Sequence, residues 1–578
     1  MGSPLFQGRR PVAAGGAAIL SRRSVGHRRE CQLESVSIVL FLLLAVVLSG
    51  SISRMLPISV PTPLVQILLG AGIGLSTSYR VDLDPELFLL LFLPPLLFLD
   101  GWRIPKDELL KDLPTVVELA LGLVLITVIG MGWFIHWMIP AMPLAVAFAL
   151  AAVVSPTDPI AVSAIAARVP IPRRMMHILE GESLLNDASG LVCLHFAIAA
   201  ALTGSFSAPA AAANFVWVAG VGLAVGVVVT LAATRAKAWV SRRFGEESGS
   251  QILVSLLIPF GSYLLAEHIH ASGILAAVSA GVTMTFAEIS RQALATTRMR
   301  RNSVWDTLQF ALNGIIFVLL GEQLPAILAG ARATVLLTGH HGTGWLGLYV
   351  LAIVAGLAAL RFGWVWVSLR LTLLRRRAGG AETLHSPDWR LVAAMSIAGV
   401  RGAITLAGVL TIPLALADGS PFPARDLAIF LAAGVIIVSL LLASIALPIL
   451  LNGLTMPAEP SRQAEEDGAR VAAAEAAIRA IERAQHDLAE REGKADFYAA
   501  AGTRVMDLYR DRIEARSGSA KASAEARLQD RLERDFRLAG IQAERAAIID
   551  LVRDRAIGSA IAQKLVRELD LLETRYRV

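Results

Sequence analysis

Ser155-Pro156-Thr157-Asp158-Pro159 and Gly181-Glu182-Ser183-Leu184-Leu185-Asn186-Asp187 lie inside two long apolar stretches of a 578-residue chain. Asp158, Glu182 and Asp187 fall where bilayer-spanning helices would be centred or nearly so. A charge at that depth costs ~2.5–3.5 kcal/mol on insertion scales, so such residues mark an ion or proton pathway. The prolines on either side of Thr157-Asp158 break the helix at the depth of the acid. A broken helix facing a carboxylate-bearing helix near the midplane is the layout of a secondary transporter's ion site.

The chain around these stretches is that of a polytopic membrane protein: 55% of its residues are hydrophobic and 17% charged, with a mean hydropathy of +0.61. Charge concentrates at the end. Residues 461–578 hold 22 Lys/Arg and 22 Asp/Glu, which predicts a soluble, electrically neutral tail after a lipid-embedded domain. The basic balance therefore comes from loop arginines and is no argument for nucleic acid binding. Cys31 and Cys193 imply neither a disulfide framework nor a metal site, and no cofactor is implied.

Apolar windows of about 20 residues, enough to cross the hydrocarbon, recur near 35–53, 58–76, 85–101, 114–138, 142–167, 174–202, 212–234, 251–269, 273–289, 303–325, 344–369, 389–413 and 426–453. Loops after the odd-numbered windows gather basic clusters such as Arg168/Arg173/Arg174 and Arg375/Arg376/Arg377, whereas the alternate loops offer Arg80, Arg332 and Arg425. The positive-inside rule then places the tail, residues 454–578, in the cytoplasm. The basic residues 1–34 run against that orientation and are expected to be an unstructured extension or a misplaced start. Windows 5 and 12 are both interrupted, window 12 by Gly399-Val400-Arg401-Gly402. Two inverted six-span repeats joined by window 7 would put the breaks in corresponding places.

On window 6, Glu182 and Asn186 are four residues apart, as are Ser183 and Asp187, so all four share a helix face. Carboxylates, a hydroxyl and an amide are hard oxygen ligands for a small dehydrated monovalent cation. Thr157 and Asp158 add a freed carbonyl and another carboxylate. An interhelical hydrogen-bond cluster is the bland alternative, although such clusters rarely use three acids. Acids at this depth need bases nearby. Arg361 and Arg401 are the deep ones; Arg361 is expected to pair with Glu182, and Arg401 and Asp158 to neutralise helix ends at the two breaks. Asp100, following Leu93-Pro94-Pro95, is placed near a cytoplasmic mouth. Glu118, His136, His195, Glu267, His268 and Glu322 are assigned to helix ends or packing.

The chain resembles bacterial sodium/proton antiporters of the cation:proton antiporter-1 family, the NhaP and eukaryotic sodium/proton exchanger group, closest to its YjcE-like branch. The resemblance rests on DPELFLLLFLPPLLFLDGW (84–102), SPTDPIAVS (155–163), GESLLNDASGLV (181–192), SYLLAEHIHASGILAAVSAG (262–281), NGIIFVLLGEQLP (313–325) and AGVRGAITLAGVL (398–410). It implies an all-α, 13-span homodimer over residues 35–453, in the bacterial cytoplasmic membrane. It also implies exchange of Na+, or K+ or Li+, for H+, with no enzymatic activity. Asp187 is then the exchanging carboxylate, and Glu182, Ser183, Asp187 and the Thr157 backbone the cation ligands. Asn186, where electrogenic relatives carry Asp, implies electroneutral 1:1 exchange. The rival readings are a passive cation channel and a membrane-embedded hydrolase, and the latter lacks any nucleophile–base motif. The tail is expected to form amphipathic helices over 461–493 and 522–578, regulatory or dimer-stabilising in one reading and a solvated appendage in the other.

Overall fold

A computed structural model describes residues 39–55, 60–76, 85–103, 122–159, 173–203, 208–245, 247–287, 295–339, 342–378, 389–416, 419–452, 460–492, 495–517 and 520–576, with residues 37, 118 and 162. Residues 1–34, expected to be an extension, lie outside the described residues. The chain divides into two compact units, Met1–Leu454 and Thr455–Val578.

Among the described residues the first unit is a helical bundle, with one isolated antiparallel bridge between Ala415 and Pro421. Its elements are α1 (Val39–Met55), α2 (Thr62–Ser76), α3 (Pro85–Arg103), α4 (Leu123–Met138), α5 (Leu144–Val154), α6 (Arg173–Thr203), α7 (Ala208–Phe244), α8 (Ser248–His268) and α9 (Gly273–Ala287). They continue through α10 (Ala295–Leu337), α11 (Gly344–Ala378), α12 (Trp389–Ile397), α13 (Ala403–Leu410) and α14 (Arg425–Leu451). Stretches in α7, α8, α10, α11 and α14 are long and apolar enough to cross a bilayer. Backbone hydrogen bonds satisfied within each helix are what lipid demands, and exposed apolar side chains such as Phe41, Leu44 and Val47 on α1 suit the same solvent.

Without a hydrophobic drive between helices in lipid, close packing falls to small residues. The seam between α2 and α10 is an example. A methyl group at Gly321 would lie 2.0 Å from the Ile67 carbonyl oxygen, and one at Gly70 2.0 Å from that of Val318, so the backbones run in near contact. The same device sets α9 on α3, where a methyl at Gly281 would meet the Phe98 carbonyl oxygen at 2.0 Å. Gly190 of α6 leaves room for the Pro156 ring, which a side chain there would meet at 2.5 Å. That contact seats the first break of the chain against the acidic helix.

The breaks form where expected. α5 stops at Val154, and residues 155–158 are not helical. Between α12 and α13, residues 398–402 form a short link in which Val400 N–H donates to the Ala398 carbonyl at 2.9 Å. Both half-helices α12 and α13 pack on α14, whose buried face includes Leu431, Val435, Ile436 and Ser439.

The second unit is helical as well, with α15 (Pro460–Glu492), α16 (Ala495–Ser517), α17 (Ala520–Arg553) and α18 (Ser559–Tyr576). The helix over 495–517 was not anticipated, and the expected continuous helix over 522–578 is interrupted. Arg555 adopts a left-handed φ of 58°, which no helix interior tolerates. Arg545 of α17 reaches Asp570 at 2.7 Å and also Glu573, both on α18, and so ties the hairpin that the interruption creates.

Candidate ion-binding site

The two interrupted spans meet at their breaks, and each supplies the charge the other lacks. The last carbonyls of a helix carry partial negative charge and have no partner within it. Arg401, from the link before α13, donates Nε–H to the Val154 carbonyl that ends α5, at 2.7 Å, and its guanidinium also reaches the Gly399 carbonyl. In the opposite direction, Asp158 N–H donates to the Val400 carbonyl at 2.7 Å. The Asp158 carboxylate fills the space beside Gly402, the residue that precedes the amide end of α13. Arg401 N–H is itself held by Ser439 Oγ of α14 at 3.1 Å.

This crossing leaves no room at Gly402. A methyl there would lie 1.8 Å from Asp158 Oδ2 and 2.4 Å from its Cβ. Gly402→Ala is therefore expected to displace Asp158 and destabilise the fold by about 1–3 kcal/mol, as overpacking does. Thermal unfolding of the detergent-purified protein checks this; an unchanged unfolding midpoint with unchanged transport would sink the crossing geometry.

On α6, Glu182, Ser183, Asn186 and Asp187 are all buried, as is Thr157. Ser183 and Asn186 turn toward the α5 break, whereas Glu182 turns toward Arg361 of α11. Ser183 Oγ donates to the Thr157 carbonyl at 2.8 Å and approaches Asp187 Oδ2 at 3.4 Å. Asn186 Nδ2 donates to Thr157 Oγ1 at 2.8 Å, so this amide braces the unwound segment. A cavity of about 30 Å³ opens among these groups, with Thr157, Asp158, Ser183, Asp187, Asp100 and Thr405 on its wall. That is room for one water or one small dehydrated ion. A second cavity of about 550 Å³ is lined by Arg103, Glu180, Asp306 and Gln309. Asp100, Pro159 and Asn313 belong to both walls and mark the neck between them. At the wide cavity, Arg103 of α3 pairs with Asp306 of α10 and donates to Gln309 Oε1 at 2.7 Å.

Glu182, expected both to pair with Arg361 and to serve the cation, stands apart from the small cavity. Arg361 of α11 takes both of its oxygens, with Nη2 to Oε2 at 2.8 Å and a second, shorter bond from Nη1 to Oε1. Arg361 also donates Nε–H to the Met395 carbonyl at 3.0 Å. Glu182 is not on the wall of the small cavity. The physical reason is the fork geometry of the guanidinium, which occupies a carboxylate bidentately and leaves it little to offer an ion. Asn186 likewise sits behind Thr157, away from that wall.

The polar residues assigned to helix ends and packing fall outside both cavities. His136 Nδ1 bonds the Met142 carbonyl and His195 Nδ1 the Leu191 carbonyl, both at 2.8 Å, while Glu267 accepts from Gly273 N–H at 3.1 Å. Sequence reasoning does not single out two polar residues on the wall of the small cavity, Asn313 and Thr405. Both lie in the quoted stretches NGIIFVLLGEQLP and AGVRGAITLAGVL, whose spacing alone does not reveal which face turns inward.

Residues 39–453 match the family described as sodium/hydrogen exchanger, transmembrane. The chain is 43% identical over 542 residues to the uncharacterized Na+/H+ exchanger YjcE of Escherichia coli, covering 93% of this chain and 97% of that one. It is 42% identical over 418 residues to a sodium, potassium, lithium and rubidium/H+ antiporter of Bacillus subtilis, covering 72% of this chain and 61% of that one. In structure it is similar to the sodium proton antiporter MjNhaP1 of Methanocaldococcus jannaschii, with a TM-score of 0.56 at 19% identity, covering 73% of this chain and 99% of that one. With a matching domain that spans the whole helical bundle and a relative aligned nearly end to end, this chain belongs to the sodium/hydrogen exchanger family.

Proposed function

We propose that the chain exchanges a monovalent alkali cation for H+ at Asp187 by alternating access. The observation that carries this reading is the one-ion cavity at the crossing of two broken helices, with Asp187, Ser183, Thr157 and Asp158 on its wall. Glu182 is held in the fork of Arg361, and Asp158 lies against the start of α13. Asp187 is approached by Ser183 at 3.4 Å. Asp100 stands at the neck shared with the wide cavity, so Asp187 is the carboxylate inside the small one that holds a proton in one half of the cycle and a cation in the other.

The ligands are hydroxyl, carbonyl and carboxylate oxygens, which suit Na+, K+ and Li+ alike. The B. subtilis relative is described for sodium, potassium, lithium and rubidium, so a broad range headed by Na+ is the expectation. We read the bundle as thirteen spans in two inverted six-span repeats, assembled as a homodimer in the bacterial cytoplasmic membrane. The tail is then cytoplasmic and serves regulation or dimer stability. Arg103 lies in the basic loop set, so the wide cavity faces the cytoplasm and the protein is inward-open.

With Asn186 uncharged and Glu182 paired, one H+ leaves for each cation that enters, and no net charge moves. Proton and cation compete for one group, so the apparent cation constant should rise as pH falls. In vesicles assayed with each alkali ion, an outward cation gradient should drive H+ uphill, which a passive channel cannot do. An imposed membrane potential should leave the exchange unchanged. A sustained potential-driven current would mean a second titrating acid, and Asp100 at the neck is then the first to replace, ahead of Asp158 and Glu182.

A further inference from the structure

Several hydroxyl groups on the helices of this protein return their proton to a carbonyl one turn back. Ser396 Oγ donates to Val392 at 2.7 Å, Thr334 Oγ1 to Gly330 at 2.9 Å and Thr411 Oγ1 to Gly408 at 2.6 Å. Thr405 breaks the pattern. It is 1% exposed, and its Oγ1 has no hydrogen-bond partner among the described residues. The carbonyls three and four back belong to Gly402 and Arg401, at the very start of α13, and Thr405 Oγ1 bonds neither. A buried hydroxyl left unmet is unfavourable, and something other than the fold must meet it. Thr405 lies on the wall of the small cavity, together with Thr157, Ser183 and Asp187.

We propose that Thr405 is a further cation ligand, supplying its hydroxyl oxygen to the alkali ion that occupies this cavity. The assignment rests on Asp187 being the exchanging carboxylate. A dehydrated ion needs oxygens from several directions. The α5 break supplies Thr157 and Asp158, and α6 supplies Ser183 and Asp187. Thr405 adds a third element, the second half of the interrupted span 12. When the ion leaves, the same hydroxyl can turn and donate to water, a switch that a back-bonded threonine cannot make. Cation occupancy is thereby registered by both crossing helices, through a residue three positions after Gly402.

The test compares Thr405→Val, nearly isosteric but without the hydroxyl, with Thr405→Ser, which keeps it. Both are measured in vesicles over concentration series of Na+, K+ and Li+ chloride. Thr405→Val should raise the apparent cation constant roughly 3- to 10-fold, the loss expected for one neutral contact, with the maximum rate retained. Thr405→Ser should restore it. Purified protein gives a second readout: stabilisation against heat by added Na+ should shrink in Thr405→Val, while the ion-free unfolding midpoint stays put. If Thr405→Val does not reach the membrane, Thr405→Ala replaces it in the same comparison. Equal cation constants in all variants, or equal losses in Val and Ser, would overturn the assignment. Asp187→Asn is run alongside. If it still exchanges, the reading of the whole site fails. If it is inactive while Thr405→Val matches the parent, Thr405 alone is wrong.

Discussion

Asp187→Asn is expected to abolish cation-dependent proton movement, leaving no signal above vesicles without the protein. The substitution is close to isosteric, and an amide oxygen can still accept the 3.4 Å contact from Ser183 Oγ. What it removes is the capacity to bind and release a proton and to offer a full negative charge to a cation. Asp187 is 3% exposed, and a neutral amide there lowers the desolvation cost that the carboxylate bears. The variant should therefore fold, reach the membrane and unfold at the same temperature as the parent or a higher one, while losing the stabilisation that added Na+ confers. These outcomes separate a chemical role from a structural one. Near-normal ΔpH collapse by Asp187→Asn would show that the exchanging group lies elsewhere. Asp100, on the wall of both cavities, would then be next.

Much of the site was legible because its signals are local. A proline on each side of Thr157-Asp158 dictates a break whatever packs around it, and i, i+4 spacing puts Glu182, Ser183, Asn186 and Asp187 on one face. What the sequence left open is long-range. Asp158 and Arg401 were assigned to helix ends at their own breaks, yet Arg401 meets the carbonyl end of α5 and Asp158 the start of α13. Only the crossing of the spans reveals that exchange. The contact of Glu182 with Arg361, 179 residues away, is the exception, because two opposite charges at one depth already point to each other. The tail failed for a different reason. Helix α16 is rich in both charges and short on apolar periodicity, and it is packed against α15, where a side chain at Gly502 would meet Gln485 at 2.6 Å. A weakly amphipathic helix held by a neighbour gives little pattern to read. The interruption before α18 did have a signal, Gly558, within a stretch treated as continuous.

The buried pair of Arg361 and Glu182 supports the second large expectation. Both side chains are almost fully enclosed, at 2% and 1% exposure. Taking one partner away strands the other as a buried charge, a loss of about 3–5 kcal/mol for such pairs. Arg361→Ala should accordingly lower the unfolding temperature and the amount of folded protein in the membrane. Arg361 packs against Gly399 as well, where a methyl group would lie 2.9 Å from its Cδ and Nε, and it holds the Met395 carbonyl at the end of α12. Part of the loss is therefore steric and will not be recovered by charge alone. Glu182→Gln by itself leaves an unpaired guanidinium and should also destabilise. The double variant Arg361→Ala/Glu182→Gln removes both charges, so it should be more stable than the sum of the single losses predicts. A double-mutant cycle on unfolding free energy measures that difference, which for directly contacting groups runs about 0.5–3 kcal/mol. Strict additivity would mean that the two residues do not meet. Glu182 would then be free to join the cation ligands, and the count of carboxylates able to change occupancy would rise from one to two, with exchange becoming sensitive to membrane potential. The same cycle thus decides between a paired, electrically silent glutamate and a second titrating site beside Asp187.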